Sequence, residues 1–123
     1  PDTLKGMKEF TAAMEYRVNQ GKYVTIYPEA HVWAYYTGIR PFSASSFKYP
    51  VKLGKPVYCM TSTYQQRRPG KRPRCTVYVD GPFYPDASLS PKEQALHLRD
   101  QVYECMERRS QASNCQYIQY IQK

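Results

Sequence analysis

Apolar residues recur every three or four positions near the start of the chain, a spacing that places them on one side of a helix. This pattern predicts a helix that begins near Thr3, is capped by Asp2, and ends at Asn19-Gln20-Gly21. The apolar stripe of this helix consists of Leu4, Met7, Phe10, Met14 and Val18.

A second helix is predicted from Ser90 to about Arg109. Ser90 can cap it, Pro91 occupies the first helical position, and Glu93 can complete a capping box. We expect the buried face of this helix to contain Leu96, Val102, Tyr103 and Met106. A further helical turn or two is expected over residues 115–121.

Three segments have the composition of β-strands. Residues 22–27 form the first, with Val24 and Ile26 on one face, and they lead directly into Pro28-Glu29. Residues 56–63 and 74–80 form the other two, and the polar turn between them predicts a hairpin.

A short helix is expected over residues 43–53, where Gly54 is suited to the C-terminal cap, and a loop is expected over 81–89. The order is helix, strand, short helix, two strands and helix. This order predicts an α/β fold in a single domain spanning residues 1–123, with a mixed sheet flanked by helices that lacks strands it would need to be complete.

The formal net charge of the 123-residue chain is +8, and its basicity is local. Five cations occur within eight residues, with no acid between them, in the turn of the predicted hairpin. They are Arg67, Arg68, Lys71, Arg72 and Arg74.

No apolar run approaches the roughly 18 residues that a membrane-spanning helix needs. The four cysteines, Cys59, Cys75, Cys105 and Cys115, include no C-x-x-C pair, so we expect no zinc site. Buried, reduced thiols in a cytoplasmic protein are the expectation instead. The chain begins at Pro1 without a methionine, which suggests a fragment or a processed product.

Lys22-Tyr23-Val24-Thr25-Ile26-Tyr27-Pro28-Glu29 resembles the third conserved block of the glycerolipid acyltransferases, the 1-acylglycerol-3-phosphate acyltransferase family. Gly54-Lys55-Pro56-Val57-Tyr58-Cys59-Met60 is similar to the segment leading into the family's fourth block. Thr76-Val77-Tyr78-Val79-Asp80-Gly81-Pro82 is similar to the late strand before the final helix. The likeness covers nearly the whole chain in the family's order.

This resemblance implies an α/β enzyme that moves a fatty acyl group from a thioester to a glycerophosphate or lysophospholipid acceptor. The thioester donor is acyl-CoA or acyl carrier protein, and no cofactor is implied. The family's chemistry requires a His-x-x-x-x-Asp motif, in which histidine is the general base. Neither His31 nor His97 has an aspartate five residues on. We therefore expect this chain to be the C-terminal portion of such a domain, inactive without its N-terminal portion.

The resemblance also implies acceptor-site residues. Glu29 stands where the family glutamate stands, whereas Val32 replaces the arginine that helps hold the acceptor's phosphate. Arg40 is the nearest alternative cation, because its planar guanidinium can pair with two phosphate oxygens. His31 is a candidate polar ligand beside Glu29. Each of these residues could instead be an ordinary surface or turn residue.

Trp33 and its tyrosine neighbours could lie at a lipid interface, wall an acyl pocket or pack on the missing portion. The basic turn could contact the anionic headgroups of a membrane surface, to which the protein would be peripheral. Alternatively, the turn and nearby Tyr64 could hold nucleic acid through phosphate contacts and stacking, without catalysis. A solvated hairpin tip is the simplest alternative.

Overall fold

The computed structural model describes residues 3–29, 37–68 and 70–114. Its elements are helix α1 (Leu4–Asn19), a 3-10 turn (Ser45–Phe47), helix α2 (Lys48–Leu53), strands β1 (Val57–Gln65) and β2 (Arg74–Phe83), and helix α3 (Pro91–Ser110). The protein therefore combines helices and a sheet, as the sequence predicts. None of the helices in the described ranges is long and apolar enough to cross a membrane.

Helix α1 begins one residue later than the predicted cap requires. Its cap is Thr3, whose hydroxyl accepts a hydrogen bond from the Gly6 N–H at 3.0 Å, and Asp2 lies outside the described residues. Met14 is buried, but Leu4 is 72% exposed. The predicted apolar stripe is thus only partly covered. A ring contact between Phe10 and Tyr49 of α2, at 5.4 Å between centroids, is one of its packing contacts.

The predicted first strand is wrong, because residues 22–27 form neither a helix nor a strand. Tyr23 is 93% exposed and Tyr27 76% exposed. A strand requires partners for its backbone N–H and C=O groups, and in the described ranges no other strand pairs with this segment. The prediction of a mixed sheet is consequently also wrong within the described residues. There the sheet is a two-stranded antiparallel pair, β1 with β2.

The hairpin is confirmed, and β2 continues three residues beyond the predicted end into the expected 81–89 loop. Val57 pairs with Phe83 and Cys59 with Asp80, so β2 has an extra residue between these pairs and bulges there. Gly81 occupies the bulge with φ +129°, and a Cβ at this position would lie 2.9 Å from the carbonyl oxygen of Val57. Only glycine both adopts this positive φ readily and lacks a Cβ that would collide with the Val57 carbonyl.

Helix α3 forms the other side of the core. Ser90 and Glu93 make the predicted capping box, and the helix ends at Ser110. The predicted buried face is partly wrong, since Leu96 is 40% exposed. The stripe that faces β1 is offset by one position, because helical spacing from Val102 leads back to Leu98 and Ala95, not to Leu96. Its members are Ala95, Leu98, Val102, Cys105 and Met106.

The core lies between α3 and the inner face of the hairpin, and two phenylalanines close one end of it. Phe42 and Phe47 stack at 6.0 Å between ring centroids, and Phe42 also meets Tyr103 edge-on. The short helix is confirmed as the 3-10 turn followed by α2. Gly54 ends it in the left-handed conformation, as predicted.

Candidate functional site

The turn at Pro28-Glu29 is joined to Arg40 by a long-range hydrogen bond. The backbone N–H of Arg40 donates to Oε2 of Glu29 at 2.9 Å, across eleven positions of sequence. Both residues are half-buried. The carboxylate therefore joins the two ends of the intervening segment, which brings together two of the three residues predicted to bind an acceptor.

The third of these residues, His31, lies outside the described residues, as does Trp33. Both lie between Glu29 and Arg40 in the sequence. Sequence reasoning identified Glu29 and Arg40 separately but did not predict their contact, because a carboxylate can accept a hydrogen bond from any backbone N–H that the fold brings near it.

A shallow, open groove of about 550 Å³ lies where the chain approaching Arg40 passes the last turns of α3. Gly38 and Ile39 form one side of it. The other side carries charges of both signs, Glu104, Glu107 and Arg108. Neither Glu29 nor Arg40 is among its described lining residues. The groove therefore lies next to the contact between Glu29 and Arg40 without including it.

The five cations of the hairpin turn are all exposed. Among the described residues, ion pairs join Lys5 to Glu9, Arg99 to Asp100 and Arg109 to Asp80, so none involves the turn. The turn itself is held by a hydrogen bond from the Lys71 N–H to the Arg68 carbonyl at 3.0 Å, with Gly70 at φ +78°. The cations therefore project from a defined turn, and no acidic side chain in the described ranges forms an ion pair with them.

The start of this turn is fixed by the chain that follows α3. The Tyr64 N–H donates to Oγ of Ser113 at 3.0 Å, and the Asn114 N–H donates to the Tyr64 carbonyl at 2.9 Å. Oδ1 of Asn114 accepts from the Gln66 N–H at 2.8 Å. These bonds cover the outer edge of β1 where it enters the basic turn. The position of the cations is thereby coupled to that of α3.

A hydrogen-bonded cluster that sequence reasoning missed lies between β1, β2 and α3. The Cys59 thiol donates to the Cys105 sulfur, with 3.4 Å between the Sγ atoms, and both residues are buried. Asp80 lies beside them, and its carboxylate receives two bonds from Arg109, at 2.7 and 3.0 Å. The Arg109 guanidinium also lies over the Tyr78 ring, 4.6 Å from its centroid.

The environment of this cluster sets its protonation. Burial, reinforced by the neighbouring Cys105 thiol, raises the pKa of Cys59 to about 12. The bonds from Arg109 lower the pKa of Asp80 below its usual range, and burial partly opposes this shift. Cys59 is therefore a neutral thiol near pH 7, and Asp80 is an anion paired with Arg109.

Two sulfurs and one carboxylate oxygen, all within 4.8 Å of one another, form a donor set that could hold a soft metal ion. Arg109 already occupies both oxygens of Asp80, however. The protonated Cys59 thiol further favours the hydrogen-bonded arrangement. The expectation of buried thiols is confirmed for Cys59 and Cys105 and wrong for Cys75, which is exposed; Cys115 lies outside the described residues.

No signal in the sequence identifies the thiol pair, because Cys59 and Cys105 are separated by 46 positions. Only the packing of α3 on β1 brings them together. Comparison of the chain with protein-family models, with curated proteins and with solved structures finds no match.

Proposed function

We propose that this chain is the C-terminal portion of an acyltransferase domain, one that moves a fatty acyl group from acyl-CoA or acyl carrier protein to a glycerophosphate or lysophospholipid acceptor. The observation that supports this best is the bond between Glu29 and Arg40, at 2.9 Å from Oε2 to the backbone nitrogen. It joins the Pro-Glu turn, which resembles the third block of that family, to the cation proposed to bind the acceptor's phosphate.

In this proposal Glu29 is a positioning residue. Its carboxylate fixes the backbone at Arg40, so the guanidinium departs from a defined point of the chain. An arginine can pair with two phosphate oxygens at once, which suits a glycerophosphate headgroup. His31 lies between Glu29 and Arg40 in the sequence and remains a proposed acceptor ligand, whereas Trp33 remains a proposed membrane contact. Glu29 and Arg40 supply no general base, which the N-terminal portion of the domain would contribute.

The exposed face of the hairpin supports the proposal that the chain packs against more of its own domain. Tyr58 and Met60 of β1 are 50% and 58% exposed, and Val77 and Val79 of β2 are 46% and 61% exposed. Met60 pairs with Val79, so these side chains form one apolar surface opposite α3. We call it the outer face. Its proposed occupant is the N-terminal portion that would contain the His-x-x-x-x-Asp motif.

We assign to the basic turn the role of contacting the membrane surface that would contain a lysophospholipid acceptor. Each cation near an anionic bilayer contributes on the order of 1 kcal/mol, so five would contribute up to about 5 kcal/mol. Because none of the described acidic side chains forms an ion pair with these cations, this attraction is available to headgroups. It would draw the domain to the membrane surface.

Acyl transfer by the full-length gene product tests the assignment of the acceptor site. The measurement is transfer from radiolabelled acyl-CoA, or acyl carrier protein, to lysophosphatidate over a series of acceptor concentrations. We expect R40Q to raise the acceptor KM at least about tenfold with little change in the donor KM, since one lost charge-assisted contact costs about 1.5–3 kcal/mol. R17Q, which changes an exposed arginine of α1, is the control. Equal constants for R40Q and R17Q would contradict the acceptor assignment.

A second candidate function is binding of nucleic acid or anionic lipid without catalysis. The observation that favours it is the set of five exposed cations next to Tyr64. Nucleic-acid affinity contributed by the turn should fall steeply with salt and require no lipid, because it arises from counterion release.

Vesicle flotation and single-stranded DNA binding separate the two uses of the turn. One variant replaces Arg67, Arg68, Lys71, Arg72 and Arg74 by glutamine. A control of equal net charge replaces Lys5, Lys8, Arg17, Lys22 and Lys52, all exposed. The membrane assignment predicts that only the first variant loses binding to anionic vesicles. Equal losses in both variants would attribute binding to net charge alone, and strong lipid-independent DNA binding would favour the second function.

A further inference from the structure

The thiols of Cys59 and Cys105 approach each other without being bonded. Their Sγ atoms are 3.4 Å apart, whereas a disulfide requires about 2.0 Å. Cys59 is 4% exposed and Cys105 2% exposed, so both sulfurs lie in the core between β1 and α3. Bond formation therefore requires the two sulfurs to move about 1.4 Å closer together.

The surrounding contacts hold the pair in register. The capping box fixes the start of α3, and the bonds from Arg109 tie its last turns to Asp80, the residue of β2 that pairs with Cys59. Cys105 lies one helical turn before Arg109. The anchored helix therefore fixes the position of the Cys105 sulfur along β1. These restraints hold the two thiols at high effective concentration.

We propose that Cys59 and Cys105 form an intramolecular disulfide when the protein meets a small disulfide oxidant of the oxidised-glutathione class. The site is a modification site that links the sheet to the helix. It is independent of the acyltransferase proposal, because it rests on the described core alone.

The reaction balances in two exchanges. A thiolate of the pair attacks the oxidant's S–S bond, forms a mixed disulfide and releases one small thiol. The second thiol, after losing its proton, attacks the mixed disulfide at the protein sulfur and releases the second small thiol. One S–S bond and two S–H bonds break, while one S–S bond and two S–H bonds form. The protein loses two electrons and two protons, and the oxidant gains them.

The core limits how fast this happens. A buried, neutral thiol reacts only after local opening and deprotonation. Oxidation is therefore slow and requires long exposure to the oxidant. Once formed, the link closes a loop of 46 positions between β1 and α3. Closing such a loop restricts the unfolded chain and stabilises the folded one.

The experiment uses the chain of residues 1–123 carrying C75S and C115S, which leaves only the two core thiols. The protein is incubated with a fixed mixture of reduced and oxidised glutathione, in native buffer and in guanidinium chloride, and free thiols are then alkylated under denaturing conditions. Intact mass counts the reacted thiols, and peptide mapping without reductant identifies the cross-link. We expect an oxidised-to-reduced ratio at least about tenfold higher in the folded protein than in denaturant. The oxidised form should melt on the order of 10 °C higher.

The control carries C59S and C115S, which leaves Cys105 facing the core and Cys75 on the outer face, where Cys75 pairs with Tyr64. For this control, the oxidised-to-reduced ratio of an intramolecular link should be no higher in the folded protein than in denaturant. A ratio for the core pair that is the same in native buffer and in denaturant would overturn the proposal. Recovery of both core thiols as alkylated cysteines, or as separate glutathione adducts in the folded protein, would overturn it equally.

Discussion

Glu29 accepts a hydrogen bond from a donor eleven positions further along the chain, and this single contact defines the base of the candidate acceptor loop. The sequence pointed to Glu29 through its place after Pro28, and to Arg40 through its charge. It could not supply their contact, because the donor is the backbone of Arg40, and every residue except proline has such a donor.

The loop closure can be tested at the Arg40 amide. We expect E29A to speed hydrogen exchange of this amide at least about tenfold, since it removes the acceptor, and to lower the free energy of unfolding by about 1 kcal/mol. E29Q retains an acceptor oxygen and should have a smaller effect. NMR-detected exchange measures both variants, with E15A of α1 as the control for loss of an exposed carboxylate. Unchanged exchange in E29A would show that the bond does not hold the loop.

The ion pair between Asp80 and Arg109 makes the stability of the fold depend on pH in the acidic range. Arg109 lowers the folded-state pKa of Asp80, so the unfolded chain binds more protons at Asp80 as the pH falls. Its contribution is complete above the unfolded pKa of about 3.9 and is lost as the pH falls through the lower folded value. The stability difference between wild type and D80N should therefore be constant from pH 7 to about 5 and shrink below about 4.

Urea unfolding of both proteins over this pH range measures that difference, and E15Q serves as the control for an exposed carboxylate. A gap between wild type and D80N that stays constant down to about pH 3 would contradict the paired state of Asp80.

Helix α3 illustrates how far a sequence pattern determines an element. Its start, cap and end are predicted because they depend on residues adjacent in sequence. Its buried face is only partly predicted, because two stripes of apolar residues are available. Contact with β1 selects the stripe containing Leu98 over the one containing Leu96. The first predicted strand fails for the same reason, since a strand depends on a partner that the sequence pattern does not specify.

A matched pair of substitutions on α3 tests this face. Leu98 is fully buried, whereas Leu96 is 40% exposed. We expect L98A to lower the free energy of unfolding by about 2–5 kcal/mol, the cost of an emptied core position, and L96A by less than about 1 kcal/mol. Chemical denaturation of the two variants gives the comparison. Equal losses, or a larger loss for L96A, would mean that the helix presents its other stripe to the sheet.

At the scale of the whole molecule, the hairpin is covered by α3 on one side, and its other side exposes Met60 and Val79. Large exposed apolar patches are characteristic of interaction surfaces. The proposal that the N-terminal portion of the domain covers it predicts that the chain of residues 1–123 binds the dye ANS at this face.

We expect the double variant M60S/V79T to lower ANS fluorescence by about half or more while leaving the urea midpoint nearly unchanged, because both side chains are already exposed. L4S/L96S, which changes two exposed leucines elsewhere, is the control. A monomeric chain with little ANS fluorescence to begin with would contradict the proposed covering of the outer face.

The central claim, that this chain completes an acyltransferase, is tested most directly by thioester-dependent acyl transfer in the full-length gene product. The comparison is between the wild type and an alanine variant of the histidine in any His-x-x-x-x-Asp motif encoded upstream of Pro1. The account predicts that the motif is present, that the wild type acylates a glycerophosphate or lysophospholipid acceptor, and that the variant loses this activity while remaining folded. Absence of the motif together with absence of acyl transfer would contradict the account.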